Sequence, residues 1–383
     1  MKILAIETSC DETAIAVLES TTPGEFTVRS EALYSQAAKH AEFGGVYPNL
    51  AKREHQENLV PLTAEALKQA GMLLPSQEKI MMQHNFSEVR DEAFSNAIRT
   101  FLEETRKPNI DLIAVTSGPG LEPALWTGVS FAGALGEAWN IPVVGTDHME
   151  GHIVSGLVRK DGSTYRLVET RFPVLALLIS GGHTELVLMR EWFQYELVGR
   201  TRDDAVGEAY DKVARLLSLP YPGGPEIERA ARRARERSSE NPITLPRPMI
   251  NDPSCDFSFS GLKTAVLYKT RELGEMSEED RDTIAWAFED AACDVLVAKV
   301  ERALIDTNAR MVAVGGGVSA NTFIRDRLTR HIGDTFPNTT LTYPDRALSG
   351  DNAIMIGIAA ALRSEHGALP KKPLVVNGSQ HLA

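Results

Sequence analysis

Short apolar runs alternate along this chain with amphipathic stretches, and the runs come in matched pairs. Ile3-Leu-Ala-Ile6 and Thr13-Ala-Ile-Ala-Val-Leu18 flank the polar segment Glu7-Thr-Ser-Cys-Asp-Glu12. Two apolar runs around a polar turn predict a hairpin with one buried face. A second version lies near the middle: Val174-Leu-Ala-Leu-Leu-Ile179, the turn Ser180-Gly-Gly-His183, then Thr184-Glu-Leu-Val-Leu188. One pattern recurring half a chain later predicts a duplicated architecture.

After each hairpin the pattern switches between helical and strand periods. Leu112-Ile-Ala-Val-Thr116 reads as a strand running into Ser117-Gly-Pro-Gly120, and Leu125 to Trp139 reads as a helix. Pro142-Val-Val-Gly145 is a further strand, and Met311-Val-Ala-Val314 is one that ends in Gly315-Gly-Gly317. Such alternation predicts an α/β fold with sites at the carboxyl ends of strands. Residues 76–110 read as an extra segment without chemistry. Within it, Ser87 to Arg106 places Phe94, Ile98, Phe101 and Leu102 at helical spacing, and Pro108 ends the run.

The 383 residues suffice for two ordinary domains, and 43% hydrophobic with 24% charged residues is usual for a globular chain. No run of eighteen apolar residues occurs, so no spanning helix is expected. No basic lead or apolar signal core precedes the first strand, which makes a cytoplasmic protein the expectation. Three cysteines, Cys10, Cys255 and Cys293, show no pairing or metal-binding spacing. They fit a reducing compartment and leave any metal to His and carboxylate. The net charge of −12 argues against non-specific nucleic-acid binding by the whole surface. A local basic face remains: Arg229, Arg232, Arg233, Arg235 and Arg237 cluster, and they read either as a solvated helix face or as an RNA contact.

Candidate chemistry centres on Thr146-Asp-His-Met-Glu-Gly-His-Ile-Val154. On a helix, His148 and His152 share one face, as two metal ligands or as two solvent-facing imidazoles. Asp351 reads as a helix N-cap, or as a carboxylate completing a His, His, Asp set with open positions. Asp11 and Glu12 are turn formers, or carboxylates that orient a nucleophile. Ser180-Gly-Gly-His183 is a hairpin turn, or a phosphate cradle of backbone N–H groups. Gly315 to Asn321 suits packing against a nucleobase or ribose, with Asn321 as contact or helix cap. Tyr221-Pro-Gly-Gly-Pro225 forces a sharp turn that admits a nucleotide. No Walker loop is present, because no Gly-Lys-Ser/Thr follows these glycines.

Together these segments resemble the TsaD-type family of tRNA threonylcarbamoyladenosine transferases, once called glycoproteases. The resemblance runs over nearly the whole chain. It is carried by Ile6 to Thr13, His148-Met-Glu-Gly-His152, Leu178 to Thr184, Asp204 to Lys212, Tyr221 to Pro225, Phe257 to Lys263, and Gly315 to Asn321. It implies an actin/Hsp70-like (ASKHA) fold with two RNase H-like lobes around a nucleotide cleft. The lobes are expected at 1–146 and 147–351, with 352–383 as a helix and tail returning to the first. It implies that His148, His152 and Asp351 bind one metal, iron or else zinc. Ile179, Ser180, Gly181, Gly182, His183, Asp211, Gly224 and Asn321 would contact the substrate nucleotide. Leu178 and His183 resemble the bacterial branch, which implies TsaB-like and TsaE-like partner proteins.

The implied reaction is acyl transfer from threonylcarbamoyl-AMP to the exocyclic amine of the adenosine 3′ of the anticodon. Asp11 would orient or deprotonate that amine, supported by Glu12. Three departures stand out: Leu121-Glu-Pro-Ala-Leu-Trp126 on the expected partner-facing side, Ser349-Gly350 before Asp351, and the long 76–110 segment. The rival readings are a metallopeptidase, a sugar kinase or chaperone lobe sharing the fold, and a non-catalytic paralogue. A zincin needs Glu directly after the first His, where this chain has Met149.

Overall fold

The computed structural model describes residues 1–76, 88–370 and 374–382. They divide into two compact units, Met1–Val168 with Asp351–Leu382, and Glu169–Gly350.

The first unit opens with an antiparallel meander of β1 (Lys2–Glu7), β2 (Glu12–Glu19) and β3 (Glu25–Ser35). Then come α1 (Ala37–Ala41), α2 (Pro48–Gln69), α3 (Glu92–Glu104), β4 (Leu112–Gly118), α4 (Glu122–Trp139), β5 (Val143–Asp147) and α5 (His148–Gly156). The hairpin of β6 (Val158–Asp161) and β7 (Thr164–Leu167) completes a seven-stranded sheet of order β5-β4-β1-β2-β3-β7-β6. β1, β4 and β5 run parallel. The central strands read as continuous apolar runs because both faces are covered. Leu4, Ile6, Ile15 and Val17 pack with Leu59 of α2, Phe94, Ile98, Phe101 and Leu102 of α3, and Phe131 of α4. The helix expected over Ser87 to Arg106 is shorter. Asp91 caps it by accepting a hydrogen bond from the Phe94 N–H at 2.9 Å, and Ser87 lies outside the described residues.

The second unit repeats the plan. It contains β8 (Val174–Ile179), β9 (Thr184–Glu191), β10 (Gln194–Arg200), α6 (Val206–Leu216), α7 (Gly223–Arg237), α8 (Ser260–Leu273), α9 (Glu278–Thr307), β11 (Met311–Gly315), α10 (Thr322–Thr335) and β12 (Thr340–Thr342). Its sheet has the order β10-β9-β8-β11-β12, with β8, β11 and β12 parallel. Strand for strand, this is the β3-β2-β1-β4-β5 order of the first sheet. Two antiparallel steps followed by two parallel ones is the RNase H-like arrangement. Its duplication in one chain is the build of the actin/Hsp70-like class.

The last helix, α11 (Ala353–Glu365), belongs to the first unit. It covers the free face of that sheet, where Gly357 lies against Ala5 and Leu18. The boundary falls after Val168 rather than at 146. The reason is local: β7 pairs with β3, matching Tyr165 to Phe26, and α5 packs on α11. Asp351 likewise falls in the first unit. Among the described residues no helix is long and apolar enough to cross a membrane.

Candidate metal centre

β5 delivers the chain into α5 through a capped start. Asp147 accepts hydrogen bonds from the Met149 and Glu150 N–H groups at 2.8 and 3.1 Å. Its other oxygen accepts from Gln380 at 2.7 Å. All nine residues of α5 are buried, so its two imidazoles do not face solvent. The i, i+4 spacing sets the rings 4.6 Å apart between centroids and 81° apart in plane.

The sequence left Asp351 open as a cap. The cap of α11 is instead Asn352, which accepts from the Met355 N–H at 2.9 Å. Asp351 stands one residue earlier, and its carboxylate turns toward the histidines. Its Oδ1 lies 3.4 Å from His148 Nε2 and 3.2 Å from His152 Nε2. One ligand atom from each of the three residues falls within 4.8 Å of the others. Despite the short approach, both ring nitrogens of His152 are buried without a hydrogen bond among the described residues. Buried polar atoms are rarely left so. A cation between two imidazole nitrogens and a carboxylate oxygen resolves the His152 Nε2 orphan, and the donor set suits iron or zinc.

A carboxylate that sequence reasoning passed over backs the site. Glu7, fully buried at the end of β1, lies 3.1 Å from His148 Nδ1. It also accepts from the Ser9 N–H at 2.5 Å and the Thr116 hydroxyl at 2.6 Å. Such a partner on the far nitrogen fixes the ring and leaves Nε2 to face a metal. The one sequence signal was an acidic residue closing an otherwise apolar strand. Burial opposes charge on His148, but the Asp351 and Glu7 carboxylates overcome it and raise that imidazole well above its usual range. Burial pushes His152 down. Burial also opposes ionisation of Asp351, yet the two histidines hold its carboxyl below the usual range.

Two contacts lock α5 to α11. Glu150 is fully buried, and Arg363 donates to both its oxygens at 2.6 Å. That pairing commits Glu150, the acidic residue nearest the histidines on α5, to the contact with α11. Gly151 is tight: a Cβ there would come within 3.0 Å of Met355 and 3.2 Å of Ile356. The glycine that weakens the helix thus lets the ligand-bearing elements approach.

Asp11 and Glu12 occupy the β1–β2 turn and the start of β2. Glu12 accepts from the Ser35 hydroxyl at 3.1 Å. Burial, with Asp351 and Asp11 nearby, pushes its carboxyl up to about 9.

The expected nucleotide contacts all fall in the second unit. The β8–β9 turn closes through Ser180 N–H to the His183 carbonyl at 2.9 Å. Gly181 and Gly182 are exposed, with open space where a side chain would stand. Gly316, at φ +88°, packs on the Ile179 carbonyl, and Gly207 packs on that of Ser180. Asp211 on α6 accepts from the Gly223 N–H at 2.7 Å, which fixes the start of α7 beside the open Gly224. Asn321 caps α10 through the Ile324 N–H at 2.9 Å, and its amide donates to Glu289 at 2.8 Å.

The arginine cluster lies on α7, where most of it forms a seam against α9. Arg233 and Arg237 reach the buried Asp282 at 2.6 and 2.8 Å. Arg235 reaches Glu289 at 2.6 Å and Asp290 at 2.8 Å. Arg229 pairs with Glu226. Arg232 is exposed and has no ion pair among the described residues.

The family model described as TsaD, tRNA N6-adenosine threonylcarbamoyltransferase, matches residues 27–84 and 82–358. Proteins of that name from Burkholderia lata and Burkholderia cenocepacia are each 40% identical over 369 residues, covering 95% of this chain and 92% of theirs. Among solved structures, HypF of T. kodakarensis gives a TM-score of 0.49 at 16% identity, over 74% of this chain and 44% of its own. The ROK hexokinase of Thermus thermophilus gives 0.43 at 13%, over 96% and 100%. The extent of the family match, and of the identity to its members, establishes that this chain belongs to the TsaD family of tRNA N6-adenosine threonylcarbamoyltransferases.

Proposed function

We propose that this chain transfers the threonylcarbamoyl group of threonylcarbamoyl-AMP to N6 of the adenosine just 3′ of the anticodon, in tRNAs reading codons that start with A. AMP is released. Family membership supports the reaction class, and the convergence of His148, His152 and Asp351 carries the mechanism. The three residues would hold one divalent cation, iron first and zinc second, which supplies Lewis-acid polarisation and a template for donor oxygens.

The remaining work falls to the chain itself. N6 is a poor nucleophile because its lone pair is delocalised into the ring. Asp11 orients or deprotonates it, a role worth about 10²–10⁴ in rate. Glu12, whose carboxyl is pushed up by burial and accepts from the Ser35 hydroxyl, supports Asp11 from the adjoining position. Backbone donors at Gly181 and Gly182 face the AMP phosphate, and Gly224 lets the nucleotide approach. Asp211 holds the start of α7 with one carboxylate oxygen and turns the other to the nucleotide, while Asn321 commits both polar atoms to the α10 cap and Glu289. RNA presents an unpaired base, with Arg232 the one arginine of its cluster left for phosphate. TsaB-like and TsaE-like partners complete the system in the cytoplasm.

The test is mass spectrometry of tRNA nucleosides after incubation with donor-generating components and partners. We expect threonylcarbamoyladenosine to form, and to be lost with chelator or with Asp351→Ala. Unmodified tRNA from metal-replete protein would overturn the reading.

A further inference from the structure

Three side chains outside the metal centre are fully buried, polar and joined end to end: Gln36, His40 and His55. Their hydrogen bonds run in one direction. The Tyr47 N–H donates to His40 Nδ1 at 3.2 Å. His40 Nε2 lies 3.0 Å from Gln36 Oε1, an acceptor only, so that nitrogen carries the proton. Gln36 Nε2 donates to His55 Nδ1 at 3.4 Å, where the Thr13 hydroxyl also sits at 2.7 Å. His55 Nε2 lies 3.0 Å from the Cys10 carbonyl and must donate to it. Each histidine is thus fixed as the Nε2–H tautomer, and donors and acceptors match along the whole line.

The end points are informative. Cys10 and Thr13 bracket Asp11 and Glu12, so His55 grips the turn on both sides of the two carboxylates. Gln36 adds a backbone contact, its N–H donating to the Asp11 carbonyl at 2.9 Å. The other end is anchored at Tyr47, where α2 begins. A buried line of matched hydrogen bonds resists displacement more than its links would separately, because each bond polarises the next.

We infer that His55, held in one tautomer by Gln36 and His40, is a positioning residue that sets the Asp11–Glu12 turn against the reacting amine. The inference rests on the proposed reaction for its consequence in turnover, but not for its structural half. Burial lowers the His55 imidazole to about 4, which agrees with the neutral tautomer across the physiological range.

The experiment compares His55→Leu with His55→Gln in the full chain. Gln reaches as far as Nε2 and keeps a donor for the Cys10 carbonyl; Leu keeps none. Two readouts are taken: hydrogen exchange of amides 10–13, and single-turnover transfer with saturation curves for donor and tRNA. For His55→Leu we expect faster exchange in the turn and roughly 10²-fold slower turnover, the scale of a small misplacement of a reacting group. Apparent affinities and metal content should hold within about twofold, and His55→Gln should recover most of both losses. Unchanged exchange at 10–13 in folded His55→Leu would overturn the inference. So would a loss of turnover that only follows the folded fraction, or equal behaviour of Leu and Gln. If wild-type protein makes no product, the reaction reading falls, and the exchange comparison still decides whether His55 holds the turn.

Discussion

The two β-hairpins that open the two units share strand order, direction and burial, yet their turns have opposite character. The β1–β2 turn is acidic and half-buried: it follows the fully buried Glu7 at the end of β1, and burial pushes the Glu12 carboxyl up to about 9. The β8–β9 turn is small and open, with Gly181 and Gly182 exposed. The loops at later strand ends diverge as well. Past β5 the chain enters a buried helix bearing two imidazoles, and past β11 it turns through Gly316 against the Ile179 carbonyl. One topology thus carries a charged, desolvated centre in one copy and a glycine-lined surface in the other. Chemistry here resides in what the loops present, while the sheet supplies only the frame.

That contrast can be broken at graded points. Arg363→Met should do the most damage. It strands the buried Glu150 carboxylate between α5 and α11, at a cost of about 3 kcal/mol, read as a lowered denaturation midpoint. A midpoint equal to wild type would remove the lock from the account. Next, Glu7→Gln leaves the ligand set intact but removes the negative partner of His148. Metal affinity should fall roughly 10- to 100-fold, measured by competition with a chromogenic chelator.

In the second unit, Asn321→Ala should cost about 1–2 kcal/mol by loss of the α10 cap, while Asn321→Ser keeps a capping oxygen. We expect Ser to restore most of the stability and AMP affinity to stay level across both, by calorimetry. A selective fall in AMP affinity for the folded Ser variant would return Asn321 to the ligand contacts. The smallest effect belongs to Arg232→Ala. Stability should change by less than about 0.5 kcal/mol, while the slope of log affinity for tRNA against log salt drops by about 1.

Much of the frame was legible because it rests on local pattern. Both hairpins, the β4 and β11 strands and the α4 helix follow from runs of apolar residues bounded by glycine, proline and acidic turns. The histidine pair was legible too, since i, i+4 spacing is local. What escaped depends on partners far along the chain. Glu7 gains its meaning from His148, and Glu150 from Arg363, through contacts no window of sequence spans. Asp351 and Asn352 both cap well, so their order alone left the cap open; only the packed helix shows that the Asp351 carboxylate faces the imidazoles. The arginines on α7 misled for the same reason, because their acidic partners lie on α9, some fifty residues later.

The histidine-bearing helix and the carboxylate before α11 are about two hundred residues apart in synthesis order. On a ribosome the imidazoles emerge first and wait for Asp351 and for Arg363, the clamp of Glu150. The three-residue set therefore cannot assemble before Asp351 has been made. Ion capture by the three residues is then a step that follows the docking of α11 on the first sheet.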